Sequence, residues 1–231
     1  MIPYSDGIPA RRFPIVNLVL IAANFAVFVF YELPDPEAAI KQASFYACNV
    51  DNACHMGYPW GISWITSMFM HAGWDHILGN MWFLAIFGKN VEDAFGKIGY
   101  LLFYFAGGFA ATFLQTAMTL LFGSASDAQI PSLGASGAIA AALGAYFVLY
   151  PNSRVLTLVG WWPIRIPAWV FLGGWFLLQF FEGNSALVAG SGGSGVAFFA
   201  HVGGFVFGAI LTGLLVGTGR IATRRPQWDR T

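Results

Sequence analysis

A serine and a histidine stand within apolar stretches rich in glycine and alanine: Gly134-Ala135-Ser136-Gly137 and Ala200-His201-Val202-Gly203-Gly204. Polar and ionisable side chains are costly inside a bilayer, so their presence there invites a functional reading. A hydroxyl with an imidazole partner is the minimal apparatus of nucleophilic acyl transfer. Each residue alone also has a plainer reading. Serine is a favoured helix N-cap and glycine-rich turns often precede helices, while a lone buried histidine is commonly a packing residue. The combination is the specific signal, and it points to a serine protease whose active site lies within the membrane.

A third group supports it. His71, His76 and Asn80 are spaced H-x4-H-x3-N at the start of an apolar segment. His76 and Asn80 are four apart and project from one helical face. Their side chains are placed to donate to the oxyanion of a tetrahedral intermediate, together with the backbone N–H of Ser136; such donors are often the largest single catalytic contribution. The alternative is that His76 and Asn80 only join helices. His71 reads as structural, holding the adjoining loop.

Composition says what must position these groups. The chain is 57% hydrophobic and 10% charged, against about 25% charged in soluble domains. This argues for one polytopic membrane domain. The formal net charge of zero gives no hint of nucleic acid as a partner. Six spans are expected: Pro14 to Glu32, Trp74 to Val91, Ile98 to Phe122, Ser136 to Tyr150, Ile166 to Phe181 and Val196 to Gly217. Most approach the ~20 residues that cross a ~30 Å hydrocarbon core. The domain is thus 14–217, with a cytoplasmic segment 1–13 before it and a basic tail 218–231 after it. The run after Arg11 and Arg12 is followed by Glu32-Leu33-Pro34-Asp35 and not by a small-residue cleavage site, so it reads as a retained span.

Cations give the orientation. Arg11, Arg12, Lys89, Lys97, Arg154, Arg165, Arg220, Arg224, Arg225 and Arg230 share one side of a six-span chain, and only Lys41 lies opposite. Both termini are therefore expected in the cytoplasm. Cys48 and Cys54 fall in the external segment between the first two spans. A disulfide is plausible on that oxidising side, with free thiols or a metal site using His55 as alternatives; one histidine and two cysteines fall short of a closed tetrahedral set.

Depth brings the serine and histidine together. Ser136 is eighteen residues before Arg154 and His201 nineteen before Arg220. At 1.5 Å per residue these are about 27 and 29 Å from the cytoplasmic anchors. Small residues permit close approach: Gly204 and Gly208 on the last span, and Gly137, Ala138, Ala140, Ala141, Ala142 and Gly144 on the fourth. On its own, this pattern only implies bundle assembly.

At these residues the chain resembles the rhomboid intramembrane serine proteases of the compact bacterial type. The resemblance rests on Gly134-x-Ser136-Gly137, Ala200-His201-x-Gly203-Gly204, His71-x4-His76-x3-Asn80, and Phe87-Gly88-x2-Val91-Glu92. It implies an all-α polytopic membrane protein with a six-helix rhomboid bundle, in which Ser136 is nucleophile and His201 general base. It also implies that His76 and Asn80 line the oxyanion hole, Gly134 shapes the turn, and Glu92 stabilises the cytoplasmic end of the second span. The family works as a dyad without cofactor or metal. Two departures stand out. The Trp-Arg loop pair of some bacterial members is replaced by Ile62 and Ser63, and a Tyr that stacks on the catalytic histidine is replaced by Ala140. Trp60, Trp64, Trp74 and Phe198 are the candidates to compensate.

The implied reaction is peptide-bond hydrolysis in or near the transmembrane segment of a single-pass membrane protein, helped by helix-weakening residues near the cut. The polar segment Gly123 to Ala135 suits the wall of a water-filled funnel. The Gly/Ser-rich link Gly183 to Gly195 suits a mobile lid or a plain connector. Residence in a bacterial plasma membrane is expected. Rival readings are a catalytically silent rhomboid-like protein that binds transmembrane clients, and a small-solute channel or transporter.

Overall fold

A computed structural model describes residues 2–188 and 197–223. Most of the Gly/Ser-rich link, together with Arg224, Arg225 and Arg230, lies outside the described residues. In chain order the elements are β1 (Ile2–Ser5), α1 (Ile15–Val27), α2 (Pro36–Ala43), α3 (Trp60–Thr66), α4 (Trp74–Phe83), α5 (Lys89–Phe95) and α6 (Lys97–Phe122). There follow α7 (Ser136–Leu149), β2 (Arg154–Val159), β3 (Trp162–Pro167), α8 (Ala168–Val188) and α9 (Phe198–Gly217). A π-helical turn, Phe28–Glu32, extends α1, and another, Leu84–Gly88, joins α4 to α5.

The chain is a predominantly helical membrane protein. Ile15–Glu32, Lys97–Phe122 and Phe198–Gly217 are long and apolar enough to cross a membrane, and Ser136–Leu149 is a shorter apolar helix. Helical runs also occupy residues 74–95 and Ala168–Val188.

α7 is buried on all sides from Gly137 to Tyr146, which explains a helix that is apolar and small all round. Its glycines meet backbone. A Cβ on Gly144 would lie 2.1 Å from the Phe205 carbonyl oxygen. Likewise, Cβ atoms on Gly204 and Gly208 would lie 2.1 and 2.0 Å from the carbonyl oxygens of Gly137 and Ala141. Thus α7 and α9 are in direct backbone contact, as the G-x-x-x-G pattern suggested. α6 closes on both, with Gly107 against Ala141 and Gly203 against Leu114.

Polar side chains bond the other helices. Glu92 on α5 accepts from the N–H groups of Val16 (3.2 Å) and Asn17 (2.8 Å), satisfying first-turn donors of α1 that have no partner within their own helix. Asn17 in turn donates to the Leu84 carbonyl at 3.0 Å and accepts from Tyr100 Oη at 2.7 Å. Glu92 therefore stabilises the N-terminal end of the first long helix from its place on the second.

The all-helical expectation has one exception, an antiparallel sheet in the order β1-β2-β3. Ile2 pairs with Leu158 and Arg154 with Pro167, while Gly160, at φ +60°, lies in the β2–β3 turn. Val155 and Thr157 alternate inward from β2 and are fully buried. Just beyond β1, buried Asp6 pairs with Lys89 at 3.1 Å and accepts from Asn90 and Tyr146. Burial pushes its carboxyl above the usual range, against the pull of Lys89. The N-terminal segment is thereby docked under α5 and α7.

Candidate active site

The site forms where α7 begins. Gly134 adopts φ +122°, which L side chains rarely do, and its N–H donates to the Ser67 carbonyl at 2.8 Å. A Cβ there would lie 2.9 Å from His76 Cε1, 3.0 Å from His76 Nε2 and 3.6 Å from Ser136 Oγ. The absent side chain is what lets the His76 ring and the serine hydroxyl share this corner. Ser136 follows as the first residue of α7, where backbone N–H groups lack intrahelical acceptors and the helix dipole favours negative charge.

His201 comes from the first turn of α9. That turn is capped by Gln115 of α6, whose Oε1 accepts from the Ala200 N–H at 3.2 Å. His201 Nε2 and Ser136 Oγ are 2.8 Å apart. The tight contact of Gly204 with Gly137 lies beside both residues, so the close approach of the two helices is what brings the pair within hydrogen-bond reach.

His76 is oriented by its own loop. The Ala72 N–H donates to His76 Nδ1 at 3.3 Å, which leaves the proton on Nε2, the nitrogen facing Gly134 and Ser136. Asn80, one turn further along α4, has a buried amide nitrogen with no hydrogen-bond partner among the described residues. His71 is fully buried and behaves differently. Its backbone N–H donates to the Glu32 carboxylate at 2.9 and 3.2 Å, and its Nδ1 lies 3.3 Å from the Phe69 carbonyl oxygen. Burial, reinforced by neighbouring His76, pushes its imidazole down to about 3, so it is neutral at ordinary pH. It joins the loop to the end of the first helix.

Several site residues escaped sequence reasoning. Gln179 on α8 is 8% exposed and its amide hydrogen-bonds His201 Nδ1. One turn earlier, Trp175 sets its ring 5.7 Å from the imidazole at 41°. Trp175 therefore supplies an aromatic neighbour where Ala140, fully buried under Gly204, has none to offer. The compensating ring comes from α8, and not from Trp60, Trp64, Trp74 or Phe198. The usable signal was a lone amide and a tryptophan four residues apart in an apolar run. Glu32, read only as ending a span, is the anchor for His71.

The loop lacking the Trp-Arg pair is seated by other means. Trp64 packs between Phe45 (5.9 Å) and Phe109 (5.5 Å), and Thr66 Oγ1 donates to the Ala43 carbonyl at 2.7 Å. Cys48 and Cys54 are joined in a disulfide. Phe45 and Ser132 exchange backbone hydrogen bonds at 3.0 and 2.8 Å, tying this loop to the polar segment before Ser136. In that segment Asp127 accepts from the Ser124 backbone (2.8 Å) and hydroxyl (2.7 Å), which lowers its carboxyl below the usual range.

Comparison with known proteins gives the family. The model of the Rhomboid domain matches residues 59–218. Rhomboid-like protein 11, chloroplastic, of Arabidopsis thaliana is 30% identical over 68% of this chain and 54% of its own length. Rhomboid protein 1, mitochondrial, of Saccharomyces cerevisiae is 29% identical over 84% of the chain and 52% of its own length. The putative rhomboid protease YdcA of Bacillus subtilis is 28% identical over 63% and 68%, respectively. The chain thus spans about half the length of the plant and yeast relatives. Since the domain match runs from the loop before His71 to the end of α9 and takes in more than half of the residues, the chain belongs to the rhomboid family.

Proposed function

We propose that the chain is an intramembrane serine endopeptidase that hydrolyses peptide bonds in or beside transmembrane segments of single-pass membrane proteins. The observation that carries this reading is the 2.8 Å hydrogen bond between Ser136 Oγ and His201 Nε2. In the reaction His201 takes the Ser136 proton as Oγ attacks the scissile carbonyl, then returns it to the leaving amine. Water hydrolyses the acyl-enzyme with His201 again acting as base. No cofactor or metal enters these steps.

The oxyanion forms beside the Ser136 N–H, His76 Nε2–H and the Asn80 amide. Donors fixed in a water-poor site stabilise developing charge without having to reorganise. Replacing His76 or Asn80 by Ala is therefore expected to lower kcat about 10²- to 10³-fold, with KM little changed. Steady-state kinetics on a fluorogenic transmembrane substrate checks this.

In the same reading six helices of the 14–217 domain span the bilayer, with both termini and the β-sheet cytoplasmic, in a bacterial plasma membrane. The cations Lys89 and Lys97, which flank the turn before α6, and Arg154 and Arg165, between α7 and α8, support that orientation. Reconstitution in liposomes with a panel of single-pass proteins tests the function. The wild-type chain should cut in or near the transmembrane segment and Ser136→Ala should not. Cutting by Ser136→Ala would remove Ser136 as nucleophile. A wild-type chain that binds the panel and cuts none of it would favour a catalytically silent client-binding protein.

A further inference from the structure

Both nitrogens of the His201 ring are engaged, and only one engagement belongs to the Ser136 pair. Nε2 meets the serine hydroxyl at 2.8 Å. Nδ1 meets the side-chain amide of Gln179, which is buried at 8% exposure on α8. A buried amide in an apolar helix is costly unless it is bonded, and this one is bonded to the imidazole. Trp175, four residues earlier on the same helix, covers the ring at 5.7 Å. One face of α8 thus holds the imidazole by a ring contact and by a hydrogen bond.

We propose that Gln179 is the positioning residue for His201. Its amide oxygen accepts the Nδ1 proton and holds the imidazole in the tautomer whose Nε2 is free to take the Ser136 proton. This rests on the reading of Ser136 and His201 as a catalytic pair. The orientation of the amide follows from the chemistry. A half-turn about the last side-chain bond exchanges amide oxygen and nitrogen without changing shape. A base that accepts at Nε2 carries its ring proton on Nδ1, and a proton on Nδ1 needs an acceptor, so the oxygen faces the ring.

The proton balance is closed. The Ser136 hydroxyl proton passes to Nε2 while its electron pair bonds the carbonyl carbon. The Nδ1 proton stays on His201 throughout, shared with Gln179 Oε1, and the Nε2 proton leaves on the amine. The neutral amide orients the ring and fixes its tautomer as a third-member carboxylate does, but adds no negative charge to stabilise the imidazolium. Cys-His-Asn sites show that an amide can fill this third place.

Two measurements test it on the full chain. In liposomes Gln179→Leu should lower kcat about 10- to 100-fold, the effect of one buried hydrogen bond lost at a reacting group, with KM unchanged. Gln179→Glu, which restores an acceptor, should recover at least tenfold over Gln179→Leu. Equal activity of Gln179→Leu and wild type, or equal loss in the Leu and Glu variants, would reduce Gln179 to a space-filling role. Independently of cleavage, nitrogen NMR of 15N-histidine-labelled protein reads the ring tautomer; the chain has only four histidines, so His201 is assignable with His201→Ala. Wild type should show His201 protonated at Nδ1, and Gln179→Leu should lose that preference. A wild-type His201 protonated at Nε2 would overturn the proposal. An Nδ1–H tautomer that depends on Gln179, in a chain that cuts no substrate, would uphold the hydrogen bond while removing the protease reading.

Discussion

Changing Ser136 and His201 to Ala together is expected to slow cleavage no further than either change alone. Each single change should cost about 10⁴-fold or more in kcat, because nucleophile and base act as a unit and losing one idles the other. The reasoning starts from the 2.8 Å contact. A serine hydroxyl is a weak nucleophile at neutral pH and attacks only as its proton leaves for a base. With His201 gone, no other base is hydrogen-bonded to Ser136 among the described residues. Residual turnover in any of the three variants would come from the oxyanion donors and from substrate binding. Single-turnover cleavage in liposomes, with helicity and melting recorded alongside, checks the expectation. Losses that multiply in the double variant would mean that the two residues act independently.

The second large effect lies away from the chemistry. Gly144→Val should destabilise the bundle by about 3 kcal/mol or more, at the upper end of the range for overpacking a close contact. Even a single Cβ there would lie 2.1 Å from the Phe205 carbonyl oxygen and 3.0 Å from the Ala209 nitrogen, and both are backbone atoms that no rotamer change can move. α7 and α9 must then separate. The Ser136–His201 contact depends on their close approach, so activity should fall with stability. A thermal midpoint lower by about 6–12 °C is expected for a chain of this size. Gly213→Ala on the exposed side of α9, where an added Cβ meets nothing within 4 Å, serves as the control and should leave both properties unchanged. Scanning calorimetry or a tryptophan-fluorescence melt in detergent reads the difference. An unchanged midpoint for Gly144→Val would contradict the tight α7–α9 contact.

How far the sequence was legible depended on the range over which each signal acts. The meeting of Ser136 and His201 was readable because both sit near helix starts, and helical rise measures their depth along helices that end shortly before the basic residues Arg154 and Arg220. The α7–α9 contact was readable because small residues at four-residue spacing mark a face without needing a known partner. The π-helical turn at Leu84–Gly88 fell inside an expected span and left no mark on hydropathy. The sheet was missed for a different reason. Arg154-Val-Leu-Thr-Leu-Val159 is short and shows no polar–apolar alternation, with Thr157 facing inward, and one of its two partners, Ile2–Ser5, lies some 150 residues earlier in the chain. Gln179 and Trp175 were missed because a lone amide or ring on a helix names no partner. Only the angular setting of α8 against α9 aims both at His201. Glu92 was expected to stabilise the end of the second span, whereas its hydrogen bonds go to the Val16 and Asn17 N–H groups of the first helix.

The most direct test of the central claim is to trap the nucleophile. The wild-type chain in liposomes is treated with an activated fluorophosphonate, and the adduct is mapped by peptide mass spectrometry. The account predicts one covalent adduct on Ser136, formed at least a hundredfold more slowly in His201→Ala and absent in Ser136→Ala. An adduct on another residue, or one on Ser136 that forms equally fast without His201, would contradict it.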